Sequence, residues 1–204
     1  MPDLTDLKRL GEPDVANAAK VLVRSFPDDP MMRYVFLGEP QAERKMFLLF
    51  QVIVRYGLMY GEVYASSSNM EGVAIWHTSD NNIWDAAKLE KCGFNEFTSQ
   101  VSPAVIERIV SLDEFATSRK KLKVPFEHWY LAFIGVDPEY HGKGFASALI
   151  KPMLERIKRE DIPCYLETAT EKNAAIYRHL GFKLIEKAPV PGTDVCLYTM
   201  IRGV

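Results

Sequence analysis

The sequence predicts an α/β protein built on a mixed sheet, and three observations predict it. Residues 13–60 carry apolar side chains at helical spacing. Residues 129–201 alternate short apolar, β-branched and aromatic runs with helical stretches. The chain has 204 residues, 48% hydrophobic and 25% charged, which suits a single domain over 1–204 with a sizeable core.

The elements follow in order. Val15, Ala18, Ala19, Leu22, Val23 and Phe26 share one helical face. Pro13 suits the first helical position and Pro27 the stop. FPDDP at 26–30 reads as a turn or loop. A second helix is predicted from Gln41 to about Tyr60. Glu62–Ser66 and Glu71–Thr78 read as strands, with SSSN at 66–69 as the turn between them. Residues 82–122 read as helical in pieces, one of them opened by Pro103. Trp129–Val136 is a buried strand. A glycine-bearing turn then leads into a helix from about Gly144 to Lys158, which Pro152 should kink or end. Cys164–Thr170 is a strand, Glu171–Leu180 a short helix, and Phe182–Lys187 and Cys196–Ile201 the last strands. Helices and a hairpin, then strand–helix–strand–helix–strand–strand, make an α/β fold with a mixed sheet.

Composition excludes several classes. A formal charge of -2 gives no electrostatic case for nucleic acid. Cys92, Cys164 and Cys196 stand far apart, against a disulfide framework or a cysteine-based zinc site. The histidines show no ligand spacing either, so no metal is expected. The first residues lack an apolar signal core. The apolar stretch from Met46 to Tyr60 is broken by Gln51, Arg55 and Gly57 and is too short to span a membrane. A soluble, cytoplasmic protein is expected.

The informative segment is VDPEYHGKGFA at 136–146. A buried strand ends, a turn holds Gly142 and Gly144, and a helix begins. Backbone N–H groups collected at a helix N-terminus bind phosphate, and glycine lets the backbone approach the anion. Lys143 adds a charge. The Walker-type loop and the dinucleotide fingerprint both fail to match this spacing.

His141-Gly142-Lys143-Gly144-Phe145-Ala146 resembles the acetyl-CoA pyrophosphate loop of the GCN5-related N-acetyltransferase (GNAT) superfamily, with His141 where the family has Arg or Gln. Asn173, Tyr177 and Gly181-Phe182 resemble that family's second cofactor motif. HWYLAFIGVDPEYHGKGFASALIKP and PCYLETATEKNAAIYRHLGF are similar to puromycin N-acetyltransferase-like proteins. The resemblance implies the GNAT fold: a mixed, strongly twisted sheet flanked by helices. The strands at 131–136 and 164–169 splay apart to admit the pantetheine arm, within a cofactor core at about 128–187. It implies acetyl-CoA as cosubstrate and a small-molecule amine as acceptor, in a monomer or homodimer. A peptide or protein acceptor, or a silent acyl-CoA sensor, remains an alternative.

Roles follow from the same resemblance. Amides from Gly142 to Ser147 would hold the pyrophosphate, with His141, Gly142, Lys143, Gly144, Phe145, Ala146 and Ser147 as the loop. Peptide groups of Ile134, Gly135 and Val136 would pair with pantetheine. Asn173 would bond the cofactor arm. Tyr177 would protonate the departing thiolate, a phenol near ~10 and a thiol near ~8.5 being close enough for transfer. Glu167, His128 and Glu127 are the candidate bases. Of the aromatics Trp76, Trp84, Trp129, Phe26 and Tyr34, Trp76 and Tyr34 are assigned to the acceptor pocket.

Overall fold

The face read at 15–26 folds as predicted: α1 spans Val15–Ser25 and buries Ala18, Ala19, Leu22 and Val23. The computed structural model describes residues 4–81 and 85–204. A short strand β1 (Lys8–Arg9) precedes α1. Then come α2 (Pro30–Val35), α3 (Ala42–Tyr60), β2 (Glu62–Ala65) and β3 (Gly72–Thr78). The middle region holds α4 (Ala86–Lys91), α5 (Phe94–Thr98) and α6 (Pro103–Lys123). The second half runs β4 (Trp129–Val136), α7 (Phe145–Glu160), β5 (Cys164–Thr168), α8 (Glu171–His179), β6 (Lys183–Pro189) and β7 (Cys196–Arg202).

Two local readings need correction. FPDDP does not end as a loop, because Asp29 caps a short helix: its carboxylate accepts N–H bonds from Met31 (2.9 Å) and Met32 (3.1 Å), with Pro30 at the first helical position. Pro152 does not end α7, which continues to Glu160. The helix forgoes one hydrogen bond there, and buried neighbours Leu149, Ile150 and Met153 hold it. Among the described residues no helix is long and apolar enough to cross a membrane.

The seven strands form one mixed sheet in the order β1-β2-β3-β4-β5-β7-β6. All neighbours are antiparallel except β4 and β5. That parallel pair is short: Trp129, Tyr130 and Leu131 face Cys164, Tyr165 and Leu166, and the ladder stops. Beyond it, residues 133–136 of β4 pair only with β3, and Glu167 and Thr168 only with β7. The strands therefore part at their C-terminal ends, where open α/β sheets bind ligands.

A bulge sits at the parting point. Ile75 faces Phe133 but Trp76 faces Leu131, which leaves Ala132 out of register. Alternation along β4 changes phase across it, so Trp129, Leu131, Ile134 and Val136 all belong to the core under α7. Phe133 turns to the opposite face and packs against Phe26 and Phe50, its ring 6.1 and 6.0 Å from theirs. α1 lies directly over Gly135, where a Cβ would stand 2.7 Å from Ser25 Oγ. That glycine serves the close approach of helix to strand.

Candidate active site

The loop after β4 is fixed from below. Asp137 is buried, pairs with Arg24 of α1 at 2.5 Å, and accepts the Glu139 N–H. The chain then turns through Gly142 (φ +76°) and Gly144 (φ +86°), both left-handed, with open space where a Cβ would stand. Only glycine adopts that conformation at little cost. α7 starts at Gly144 with no side-chain cap, and its first internal bond runs from Ala148 N–H to Gly144 C=O. The amides of Phe145, Ala146 and Ser147 precede that bond, so they are the unpaired donors of a helix start.

Two of the residues assigned to this loop are occupied otherwise. The Lys143 amide donates to Tyr140 C=O at 3.3 Å, and its ammonium lies 5.0 Å over the Tyr140 ring. The His141 amide donates to Pro138 C=O, and its Nε2 lies 2.9 Å from Val136 C=O. Among the described residues, the backbone N–H groups left without a partner here are those at Gly142, Gly144 and the first turn of α7.

Tyr177 belongs to the core under α7, and Glu167 follows the last β4–β5 pair. Tyr177 is 8% exposed, within the core under α7, its ring set edge-on to Phe182 at 5.9 Å. Burial, then the charge of Asp29, push its phenol above the ordinary range. Asp29 is the residue that caps α2. Asp29 itself is pushed up by burial. Sequence reasoning passed over this residue, although Asp-Pro before an apolar run is a helix-start signal. Asn173 lies one turn before Tyr177 on α8, its own N–H capped by Thr170 Oγ1 at 3.1 Å.

Glu167 sits one residue past the last β4–β5 pair. It accepts the hydroxyl of Tyr130 at 3.2 Å and that of Tyr165. Burial raises its pKa, opposed by the Tyr165 bond and by Lys120. A raised carboxylate is a better-matched base near neutral pH.

Two assigned residues fall elsewhere. His128 is buried before the start of the β4–β5 ladder, its Nδ1 2.8 Å from Phe126 C=O. The three paired residues that follow put it roughly 10 Å from the opening, and burial lowers its pKa. Trp76 is fully buried in the core under α7, where it packs the sheet. Trp129 lies in the same core, Phe26 packs on Phe50 and Phe133, and Trp84 lies outside the described residues. Tyr34 belongs to a small cluster of α2, α6 and the β6–β7 turn, with Met31, Leu112, Phe115, Val190 and Val195.

α6 crosses this side of the gap. Arg108 donates to the carbonyls of Val35 and Leu37, and its guanidinium lies 5.8 Å over Tyr34. Further along, Arg119 pairs with Glu186 of β6. A cavity of about 860 Å³ lies between α1, the start of α3, the β2–β3 turn and the loop after β4, lined by Val23, Met46, Met70 and Tyr140 among others. Neither Tyr177 nor Glu167 borders it. Among the described residues no His, Cys, Asp and Glu side chains converge as metal ligands would.

Comparison with known proteins agrees with this geometry. The model of the acetyltransferase (GNAT) family matches residues 111–182. A Schizosaccharomyces pombe protein described as an uncharacterized N-acetyltransferase is 30% identical over 183 residues, 86% of this chain and 73% of that one. A Corynebacterium glutamicum structure, described as histone acetyltransferase HPA2 and related acetyltransferase, superposes with a TM-score of 0.63 at 22% identity, covering 96% of this chain and 94% of that one. Drosophila melanogaster polyamine N-acetyltransferase, which forms N-acetylagmatine, gives 0.64 at 14% identity, covering 97% and 99%. These two structures share the fold. With the curated relative matching across most of the chain and the family model spanning both the glycine loop and Tyr177, this chain belongs to the GNAT family and is an acyltransferase.

Proposed function

We propose that the chain transfers an acetyl group from acetyl-CoA to the primary amine of a small molecule. The observation that carries this reading is the parting of β4 from β5 after Leu131 and Leu166, with an uncapped helix start after β4, Tyr177 in the core under α7 and Glu167 one residue past the last β4–β5 pair. The amides of Gly142, Gly144 and Phe145–Ser147 suit a pyrophosphate. Half the backbone groups between Ala132 and Val136 point away from β3, as in any strand, and suit the amide-bearing pantetheine arm.

In this reading Glu167 takes the ammonium proton and the amine attacks the thioester carbonyl; the C–S bond then breaks as Tyr177 protonates the departing thiolate, and the second proton shed by the nitrogen restores the Tyr177 phenol. Burial raises the Tyr177 phenol, and the same surroundings disfavour a thiolate, so the two acidities move together. Asp29 adds a negative charge beside the reaction and favours a cationic acceptor. Asn173 bonds the cofactor arm, and Tyr34 helps shape the acceptor end.

α6 supports a small acceptor, because it bridges α2 and β6 across the face by which a peptide would enter. Polyamine acetylation by the Drosophila structure is in keeping with this. The test is release of free CoA thiol from acetyl-CoA with a panel of polyamines, arylalkylamines, aminoacyl nucleosides and short peptides. Release with small amines and none with peptides is expected. Release with peptides alone would overturn the small-molecule reading. No release with any amine would overturn the transferase reading of this site.

A further inference from the structure

A carboxylate partly buried in protein stays ionised where something offsets its lost hydration. Glu167 has three such neighbours of two kinds. Tyr130 and Tyr165 are neutral phenols that donate to its two oxygens. The third is Lys120, in the last turns of α6, whose ammonium lies 5.0 Å from the centre of the Tyr130 ring. Tyr130 therefore works twice: its face holds the ammonium and its hydroxyl holds the carboxylate. A desolvated ammonium over an aromatic face is attracted by the ring, so Lys120 is seated rather than free to swing away.

We propose that Lys120 is the positioning residue for Glu167, its ammonium supplying the positive charge that lets this half-buried carboxylate act as the base. The inference rests on the reading of Glu167 given above. It makes α6 more than a cover, since the helix that closes the acceptor side also carries the charge that tunes the chemistry.

The other groups facing this pair are few. Tyr130 and Tyr165 are both pushed up by burial and hold their protons. Asp113, two turns before Lys120 on α6, acts against Glu167 ionisation and in favour of the Lys120 charge. His128 faces Tyr165, ring centres 5.4 Å apart, and burial lowers its pKa. Burial lowers the Lys120 pKa, and Glu167 and Asp113 pull it back. The phenols thus contribute hydrogen bonds, and Lys120 contributes the charge.

The experiment reads Glu167 directly. In protein labelled with 13C at the glutamate carboxyl, the Glu167 resonance is assigned by its loss in E167Q and titrated in wild type, K120M and K120R. K120M keeps the apolar stem and removes the charge. The expected result is an apparent pKa about one pH unit or more higher in K120M and near wild type in K120R. An unmoved resonance in K120M overturns the proposal. Kinetics then separate it from the reading beneath it. If the acid limb of kcat/KM moves with the resonance, both stand. If the resonance moves and the limb does not, the charge coupling is real, Glu167 is not the base, and the positioning role falls with that reading.

Discussion

α7 and α8 each follow a strand of the central sheet, and they begin in opposite ways. α8 starts from Thr170, whose hydroxyl accepts the N–H of Asn173 at 3.1 Å. α7 starts from a left-handed Gly144 with no side chain to cap it, leaving the amides of Phe145, Ala146 and Ser147 ahead of the first internal bond. A lost cap costs about 1 kcal/mol. Where one crossover satisfies its own helix and the next does not, the open one has room for a partner from outside the chain. The closed one is a rigid mount, and Tyr177 is what it carries.

The largest effect should come from that mount. Tyr177→Phe keeps the ring packed against Phe182 and removes the proton. Turnover should fall on the order of 10²–10⁴, with the KM for acetyl-CoA little changed. Full turnover in Tyr177→Phe would mean that α8 only packs. Gly144→Val tests the open start. A β-branched side chain in the left-handed region costs about 1–2 kcal/mol, a factor of roughly 5–30. If the loop relaxes to avoid that strain, the amide array is lost and the KM for acetyl-CoA rises by about that factor. An unchanged KM would break the comparison, because the open start would then not be holding the donor.

The pH profile sharpens the comparison from the acceptor side. Burial holds Glu167 above the ordinary carboxylate range. The base form is therefore lost as pH falls through that raised value, and kcat/KM should decline on an acid limb above the ordinary ~4.3. The acceptor amine sets its own limb at higher pH. Glu167→Gln should lower activity and erase the acid limb while leaving acetyl-CoA affinity in place. A limb that survives in Glu167→Gln belongs to another group, and Asp29 is the next carboxylate to test.

The strand, glycine turn and helix start after β4 were legible because they lie within one short segment. The roles proposed for that loop, and for Asn173 and Tyr177, come from the family resemblance and not from spacing. The acceptor side is assembled from distant side chains. Lys120, Tyr130 and Glu167 meet only because α6 folds back over the gap, and no periodicity announces that. Trp76 and Tyr34 are both aromatic and apolar in context, yet one is fully buried under α7 and the other stands between α2 and α6. The bulge at Ala132 decides which side of β4 faces which layer, and a one-residue change of phase cannot be read from alternation that short. His128 was attractive for its ordinary pKa, and its place before the β4–β5 ladder removes it from the gap.

The smallest effect belongs to the cap itself. Thr170→Ala deletes the hydroxyl that satisfies the Asn173 amide and leaves a bare start on α8. The expected cost is about 1 kcal/mol of stability, which for a chain of this length lowers Tm by about 2–4 °C. Because α8 presents Tyr177 through its packed face and not through its first turn, turnover and acetyl-CoA KM should hold near wild type at temperatures well below Tm. The two helix starts then separate by measurement: Gly144→Val should be read mainly in donor affinity, and Thr170→Ala in melting temperature. If Thr170→Ala instead raised the acetyl-CoA KM as much as Gly144→Val, the first turn of α8 would be a second contact for the donor, and Asn173, whose amide the threonine caps, would be the residue through which it acts.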